Sequence, residues 1–212
     1  MTARLTPLLL FLAGCGAAAG PRRGTPDDPP DLAYPVGAFI LTERSGRSAT
    51  EQDLRGKVWV ASFIFTRCSG PCPQVTSTMR RLQSELKEEL DAGRVKLVTF
   101  TVDPKHDDLA KLREYANSRG ADPQHWLFLT GDEATIHTLL REQFKQAVER
   151  RTGPNVDPGT AFDHSPRLVV VDKEGVIRAT FPGIRGDSFP DADATFEADL
   201  ARLKDKVREL LR

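Results

Sequence analysis

Lys57-Val58-Trp59-Val60-Ala61-Ser62-Phe63-Ile64-Phe65-Thr66-Arg67-Cys68-Ser69-Gly70-Pro71-Cys72-Pro73 is the stretch whose reading decides the fold. Its first half is an unbroken apolar run rich in β-branched and aromatic residues, the pattern of a strand buried on both faces. At Cys68 the run gives way to a loop of small residues, and Thr76 to Leu90 then reads as a helix. Two cysteines thus stand where a central strand hands over to a helix N-terminus. Unpaired backbone N–H groups and the helix dipole favour anions there, thiolates included.

The Cys-x3-Cys spacing is compatible with more than one use. Residues four apart on a regular helix hold their Cβ atoms about 5–6 Å apart, and a relaxed disulfide needs roughly 3.8 Å. Gly70 and Pro71 make a regular turn unfavourable, so a reversible Cys68–Cys72 disulfide remains feasible once the loop bends. Two thiolates on one metal need less compression, because metal–sulfur bonds near 2.3 Å place the sulfurs about 4 Å apart. A static disulfide in an exported protein is the plain alternative.

Outward from this stretch, the 212 residues suffice for one substantial domain with appendages, and 30 Lys plus Arg balance 30 Asp plus Glu, so nothing in the charge points to nucleic acid. Met1 to Arg4 forms a short positive segment, Leu5 to Leu12 a short apolar one, and Leu12-Ala13-Gly14-Cys15 follows at once. That tetrad resembles a bacterial lipobox, which predicts a lipoprotein signal peptide over residues 1–14, lipid attachment at Cys15 and a mature protein outside the cytoplasm. The expected place is the periplasmic face of a bacterial membrane, held by the lipid, because the apolar stretch is too short to span a bilayer. An ordinary secretory signal with an incidental cysteine is the alternative, and under it the protein is exported all the same. Gly16 to Pro30 is rich in Ala, Gly, Pro, Arg and Asp, and residues 15–33 read as a flexible tether ahead of a domain over 34–212.

Along the domain, Phe39-Ile40-Leu41 and a polar turn predict an N-terminal β-hairpin. Val75, Met79, Leu82, Leu86 and Leu90 form a helical stripe, which makes Met79 core and not a ligand. Val95 to Val102 and Trp126 to Leu129 predict strands. Asp107 and Asp108 offer caps for a helix running to Gly120, and Ile136, Leu139, Leu140 and Phe144 mark another helix. This alternation implies a mainly parallel α/β sheet. Arg151 to Asp163 breaks the rhythm, and so long a loop often serves the site it borders. His164-Ser165-Pro166 follows it. A strand over 167–172, a hairpin return over 176–181 and an amphipathic helix over 191–212 complete the chain.

This succession resembles the thioredoxin fold: a central mixed sheet flanked by helices, here with the N-terminal hairpin as an extension. In that fold a late proline is cis beside the cysteine loop, which by analogy makes Pro166 the cis-proline candidate. Phe63-Ile64-Phe65-Thr66-Arg67-Cys68-x3-Cys72-Pro73, Phe100-Thr101-Val102-Asp103-Pro104 and Asp163-His164-Ser165 together resemble the Sco/SenC family of copper proteins that assist cytochrome c oxidase assembly. The likeness covers roughly residues 34–212. It implies a copper site, Cu(I) or Cu(II), made by Cys68, Cys72 and His164. It also implies a copper-receiving oxidase subunit or another copper chaperone as partner, and a monomer is expected. The chain departs from the family in having Ser69 where a proline is usual, and in having Pro166, a feature shared with thioredoxin-like reductases.

The implied ligand set is chemically apt. Soft thiolates select Cu(I), and imidazole suits copper in either oxidation state. A thiol–disulfide oxidoreductase in which Cys68 and Cys72 form the redox-active pair is the alternative function. A peroxidase of the same fold is disfavoured, because the Pro-x-x-x-Thr-x-x-Cys arrangement is absent around Cys68. Asp163 offers negative charge near His164 or is a solvated loop residue. Arg67 either stabilises the neighbouring thiolate or faces solvent. His106, His125 and His137 read as exposed histidines.

Overall fold

A computed structural model describes residues 32–186 and 192–212 of the chain. The expected signal peptide, Cys15 and nearly all of the expected tether lie outside the described residues. In chain order the elements are β1 (Tyr34–Pro35), β2 (Ile40–Glu43), β3 (Ser48–Thr50), β4 (Val58–Ile64), α1 (Cys72–Glu85), α2 (Lys87–Asp91), β5 (Val95–Thr101), α3 (Leu109–Ser118), β6 (Trp126–Thr130), α4 (Glu133–Thr138), β7 (Val148–Arg150), β8 (Phe162–His164), β9 (Arg167–Val171), β10 (Val176–Pro182) and α5 (Ala192–Leu210).

Eight of these strands form one sheet in the order β1-β10-β9-β4-β5-β6-β2-β3. β4 is its centre, parallel to β5 and antiparallel to β9, and every one of its residues is buried. That double burial is what the unbroken apolar run required. β5 and β6 continue in parallel, joined by a helical crossover, whereas β9 and β10 form an antiparallel hairpin. The sheet is therefore mixed and flanked by helices, as in the thioredoxin fold, and not mainly parallel as the strand–helix alternation suggested: only β4 with β5 and β5 with β6 run in parallel. The N-terminal hairpin of β2 and β3 extends it beyond β6, through the pairing of Thr42 with Thr130.

The core is continuous across both faces. Val75, Met79 and Leu82 of α1 are fully buried, so Met79 packs as the helical stripe predicted. On the sheet, Phe63 stacks with Phe100 at 5.8 Å between centroids and meets Phe144 edge-on at 5.2 Å. Each such ring contributes about 1.5–3 kcal/mol relative to exposure, enough to fix the height at which β4 ends and the cysteine loop begins.

Several expectations are corrected. α1 begins at Cys72, four residues before the expected start, because Pro71 supplies the cap position and Pro73 fits a first turn whose N–H groups have no intrahelical partner. The expected single helix to Leu90 is interrupted at Leu86, after which α2 runs separately. Asp108 caps α3 by accepting from the Lys111 N–H at 2.9 Å, whereas Asp107 turns inward. α4 widens into a π-helical turn over Leu139–Gln143, with Lys145 at positive φ beyond it. The long break before His164 contains a two-stranded ribbon, β7 with β8, separate from the main sheet.

Pro166 is not cis: no cis peptide bond occurs among the described residues. Trans is the intrinsically favoured form of an X-Pro bond by about 0.5–1 kcal/mol. Nothing here opposes that preference. His164 is delivered to the cysteines by β8, and the Pro166 carbonyl is engaged by the Gly183 N–H at 2.9 Å.

Candidate metal centre

β4 ends at Ile64, and the following turn is tied by the Cys68 N–H, which donates to the Phe65 carbonyl at 3.2 Å. The Ser69 N–H donates to the Gly159 carbonyl at 3.0 Å, which fastens the top of the cysteine loop to the long segment before β8. That segment does border the site, as its length suggested. Pro71 then caps α1, its carbonyl accepting from Gln74 and Val75 at 3.0 Å, and Cys72 is the first helical residue. Cys72 is fully buried and Cys68 partly so.

His164 reaches this pair from the end of β8, 92 residues later in the chain. Its Nε2 lies 3.3 Å from Cys72 Sγ, and its Nδ1 faces the Ser165 carbonyl at 3.4 Å. The imidazole stands edge-on to Phe65, 5.9 Å between centroids, and Phe65 also meets Phe162 at 5.7 Å. Alternation along β8 places Phe162 and His164 on one side and Asp163 on the other. Asp163 is accordingly exposed and paired with Arg151 at 2.5 Å, away from the sulfurs.

The ligand atoms of Cys68, Cys72 and His164 all lie within 4.8 Å of one another. Sulfur and nitrogen donors on a common metal need separations near 4 Å, so small rotations suffice to close them on an ion. Two thiols and an imidazole form a soft, three-donor set that fits copper. The two cysteines are free thiols in this structure. Sharing of the Cys72 proton holds the Cys68 thiol far below its ordinary range, to about 4. His164 and the N–H groups of Cys72 and Gly70 assist, and partial burial opposes. The same sharing and the burial of Cys72 push its own thiol up. The two thiols are thus shifted in opposite directions, which favours the thiolate at the more exposed Cys68.

Beneath the loop lies a polar layer that the sequence did not disclose. Asp107 is fully buried, and its carboxylate accepts from the Thr66 N–H at 3.0 Å, from Thr66 Oγ1 at 2.6 Å and from Thr101 Oγ1 at 2.5 Å. Burial pushes its carboxyl up, while those hydrogen bonds hold it down. Asp103, 1% exposed, pairs with Arg67 at 2.7 Å and with Arg150 at 3.1 Å. Arg67 thus serves a carboxylate and not the neighbouring thiolate. None of the remaining histidines belongs to the cysteine cluster. His125 is buried between Asp91 and Asp122, at 3.2 and 3.4 Å, His137 Nε2 lies 2.8 Å from the Val102 carbonyl, and His106 is half-buried with its carbonyl accepting from Lys111. The expectation that His106, His125 and His137 are exposed fails: His125 is buried and the other two are half-buried, with His125 and His137 each filling a polar niche at an element boundary.

Residues 28–192 match the family model SCO1/SenC. The crystal structure of a SCO1/SenC family lipoprotein from Bacillus anthracis superposes with a TM-score of 0.66 at 30% identity, over 82% of this chain and 97% of that one. BsSco, a member of the Sco family of cytochrome c oxidase assembly proteins in which a disulfide switch has been identified, gives 0.63 at 27% identity, over 80% and 95%. Yeast Sco1 with copper bound gives 0.58 at 26% identity, over 82% and 90%.

Proposed function

Since this chain belongs to the SCO1/SenC family, we propose that Cys68, Cys72 and His164 are the three donors with which it carries copper to a copper-receiving subunit of cytochrome c oxidase. The protein is a copper-binding assembly factor, and copper is its cargo. The convergence of two sulfurs and one imidazole that stand 92 residues apart in the chain is the observation that carries this reading. Copper supplies no chemistry beyond being held and handed on. The chain's residues do the rest: the buried Cys72 anchors, the more exposed Cys68 faces an incoming ligand, and His164 closes the third side. Transfer by ligand exchange is favoured by that asymmetry, because one sulfur is reachable and already deprotonated.

A second activity at the same residues is supported by the free thiols and the low Cys68 pKa. In it the Cys68 thiolate attacks a partner disulfide, and one partner sulfur leaves as a thiolate. Cys72, losing its proton, then displaces the second, leaving Cys68–Cys72 bridged and the partner with two thiols. Keeping a recipient's cysteines reduced would itself assist copper insertion. The lipid anchor at Cys15, with a domain held outside the cytoplasm, completes the proposal and is supported by the lipobox-like Leu12-Ala13-Gly14-Cys15 and by the likeness to a lipoprotein.

His164→Ala separates the two activities. Metal analysis and an absorption spectrum should show loss of tight Cu(II) binding and of its thiolate-to-copper band, with disulfide exchange against a model substrate largely intact. Cu(II) binding equal to the parent's would refute the proposed donor set.

A further inference from the structure

Asp103 belongs to neither half of the three-donor site, yet it touches both. Its Oδ2 accepts from Arg67 Nη2 at 2.7 Å, and Arg67 immediately precedes Cys68. Its Oδ1 accepts from Arg150 Nη2 at 3.1 Å, and Arg150 is the register partner of Phe162, two residues before His164. The ribbon of β7 and β8 shares no ladder with the eight-stranded sheet, so strand pairing ties His164 to β4 only indirectly, through β9, which begins three residues later and pairs Val169 with Ala61. Among the described residues the contacts between them include the Cys72–His164 approach itself, ring contacts around Phe65, the Ser69 to Gly159 backbone bond, and this carboxylate. Only the carboxylate is charge-assisted, which makes it the most directional of them.

We propose that Asp103 is a positioning residue, whose carboxylate, shared between Arg67 and Arg150, sets the reach of His164 to the cysteine pair and thereby the preference of the site between Cu(II) and Cu(I). The proposal rests on the copper reading of those three donors. Two thiolates suffice as soft ligands for Cu(I), whereas Cu(II) draws more on the imidazole. Loosening the ribbon therefore weakens Cu(II) first. Glu133 also holds Arg150, at 2.7 Å, so the ribbon keeps one ionic tie when Asp103 is neutralised, and Arg67 keeps none among the described residues.

The test uses Asp103→Asn, which preserves shape, and Arg150→Gln, at a side chain 38% exposed, which leaves the Asp103–Arg67 pair in place should the first variant fold poorly. In the reduced, metal-free parent, nuclear Overhauser contacts should connect the His164 ring with the Phe65 ring and the Cys72 β-protons, and these should weaken or vanish in the variants. With copper added, Cu(II) affinity should fall about 10–100-fold with a diminished thiolate-to-copper band, while Cu(I) affinity stays within about threefold. Unchanged ring contacts, unchanged Cu(II) affinity, or equal losses for the two oxidation states would each overturn the role of Asp103. A parent protein that takes up no copper would sink the copper reading instead, and the metal-free contacts would still decide whether Asp103 positions the ring.

Discussion

Cys68 and Cys72 are chemically identical in the sequence and opposite in the structure. Cys72 is fully buried in the first turn of α1, and Cys68 lies on the open side of the loop. Proton sharing then assigns the charge: Cys68 is held to about 4, so at any pH above that value its thiolate is present, and it is lost only as pH falls through that value. An ordinary thiol near 8.5 is roughly 0.3% thiolate at pH 6. Cys68 thus carries roughly 300-fold more thiolate there, of which lower intrinsic nucleophilicity cancels roughly 100-fold. The expected result is a flat rate. Alkylation of Cys68 in the reduced, metal-free protein should vary little between pH 6 and 9, as measured by mass spectrometry of quenched samples. A rate rising about tenfold per pH unit from pH 6 and levelling only near pH 8.5 would show an unshared proton.

At the scale of elements, two glycines report on how the site is braced. A Cβ on Gly159 would meet Ser69 Oγ at 2.6 Å and Ser69 Cβ at 3.0 Å, both side-chain atoms of the cysteine loop. A Cβ on Gly183 would meet the Pro166 carbonyl oxygen at 2.3 Å, which is backbone and moves less readily. Gly183→Ala should therefore cost about 1–3 kcal/mol and lower the melting temperature by several degrees, as overpacking against a rigid wall does. Gly159→Ala should leave the melting temperature closer to the parent's and instead weaken copper binding several-fold, read by competition titration beside thermal melts. A reversed order of the two effects would mean that the loop contact is incidental to the site. The same scale shows what was legible in the sequence. β4, β5, β6 and α1 followed from apolar period alone, because burial on one or both faces writes itself into residue order. The β7 and β8 ribbon did not, since three-residue strands that pair only with each other carry no period. Pro166 was misjudged because an isomer is set by the surrounding chain and not by the proline. The roles of Asp103 and Asp107 were hidden for a related reason: one read as the polar end of a strand and the other as a helix cap, and only the fold shows them turned inward, on two arginines and on two threonines.

Across the whole molecule, the proposed copper site and the N-terminal entry of the described chain occupy opposite ends of the sheet. The cysteine loop follows the C-terminal end of β4, and Pro182, register partner of Arg167, lies at that same end of β10. The chain enters at the other end: the Leu32 N–H donates to the Arg178 carbonyl at 2.9 Å, and Tyr34 and Pro35 pair with Ile177 and Val176. A domain held by lipid at Cys15 would thus present its sulfurs away from its tether, free to meet a recipient without the membrane between them. Residues 16–31, if extended, reach at most about 3.3–3.6 Å each, some 55 Å in all, enough to let a domain of this size turn above a surface. With the lipid proposed at Cys15 and the copper donors at the far end of the domain, Cys15→Ser should move the protein from the membrane to the soluble fraction while leaving its Cu(II) spectrum unchanged. Fractionation of cells expressing the two forms, followed by spectroscopy of the released protein, measures the two outcomes independently. Retention of the variant in the membrane would remove Cys15 as the anchor, and an altered copper spectrum in the released protein would show that the N-terminal segment reaches the site after all.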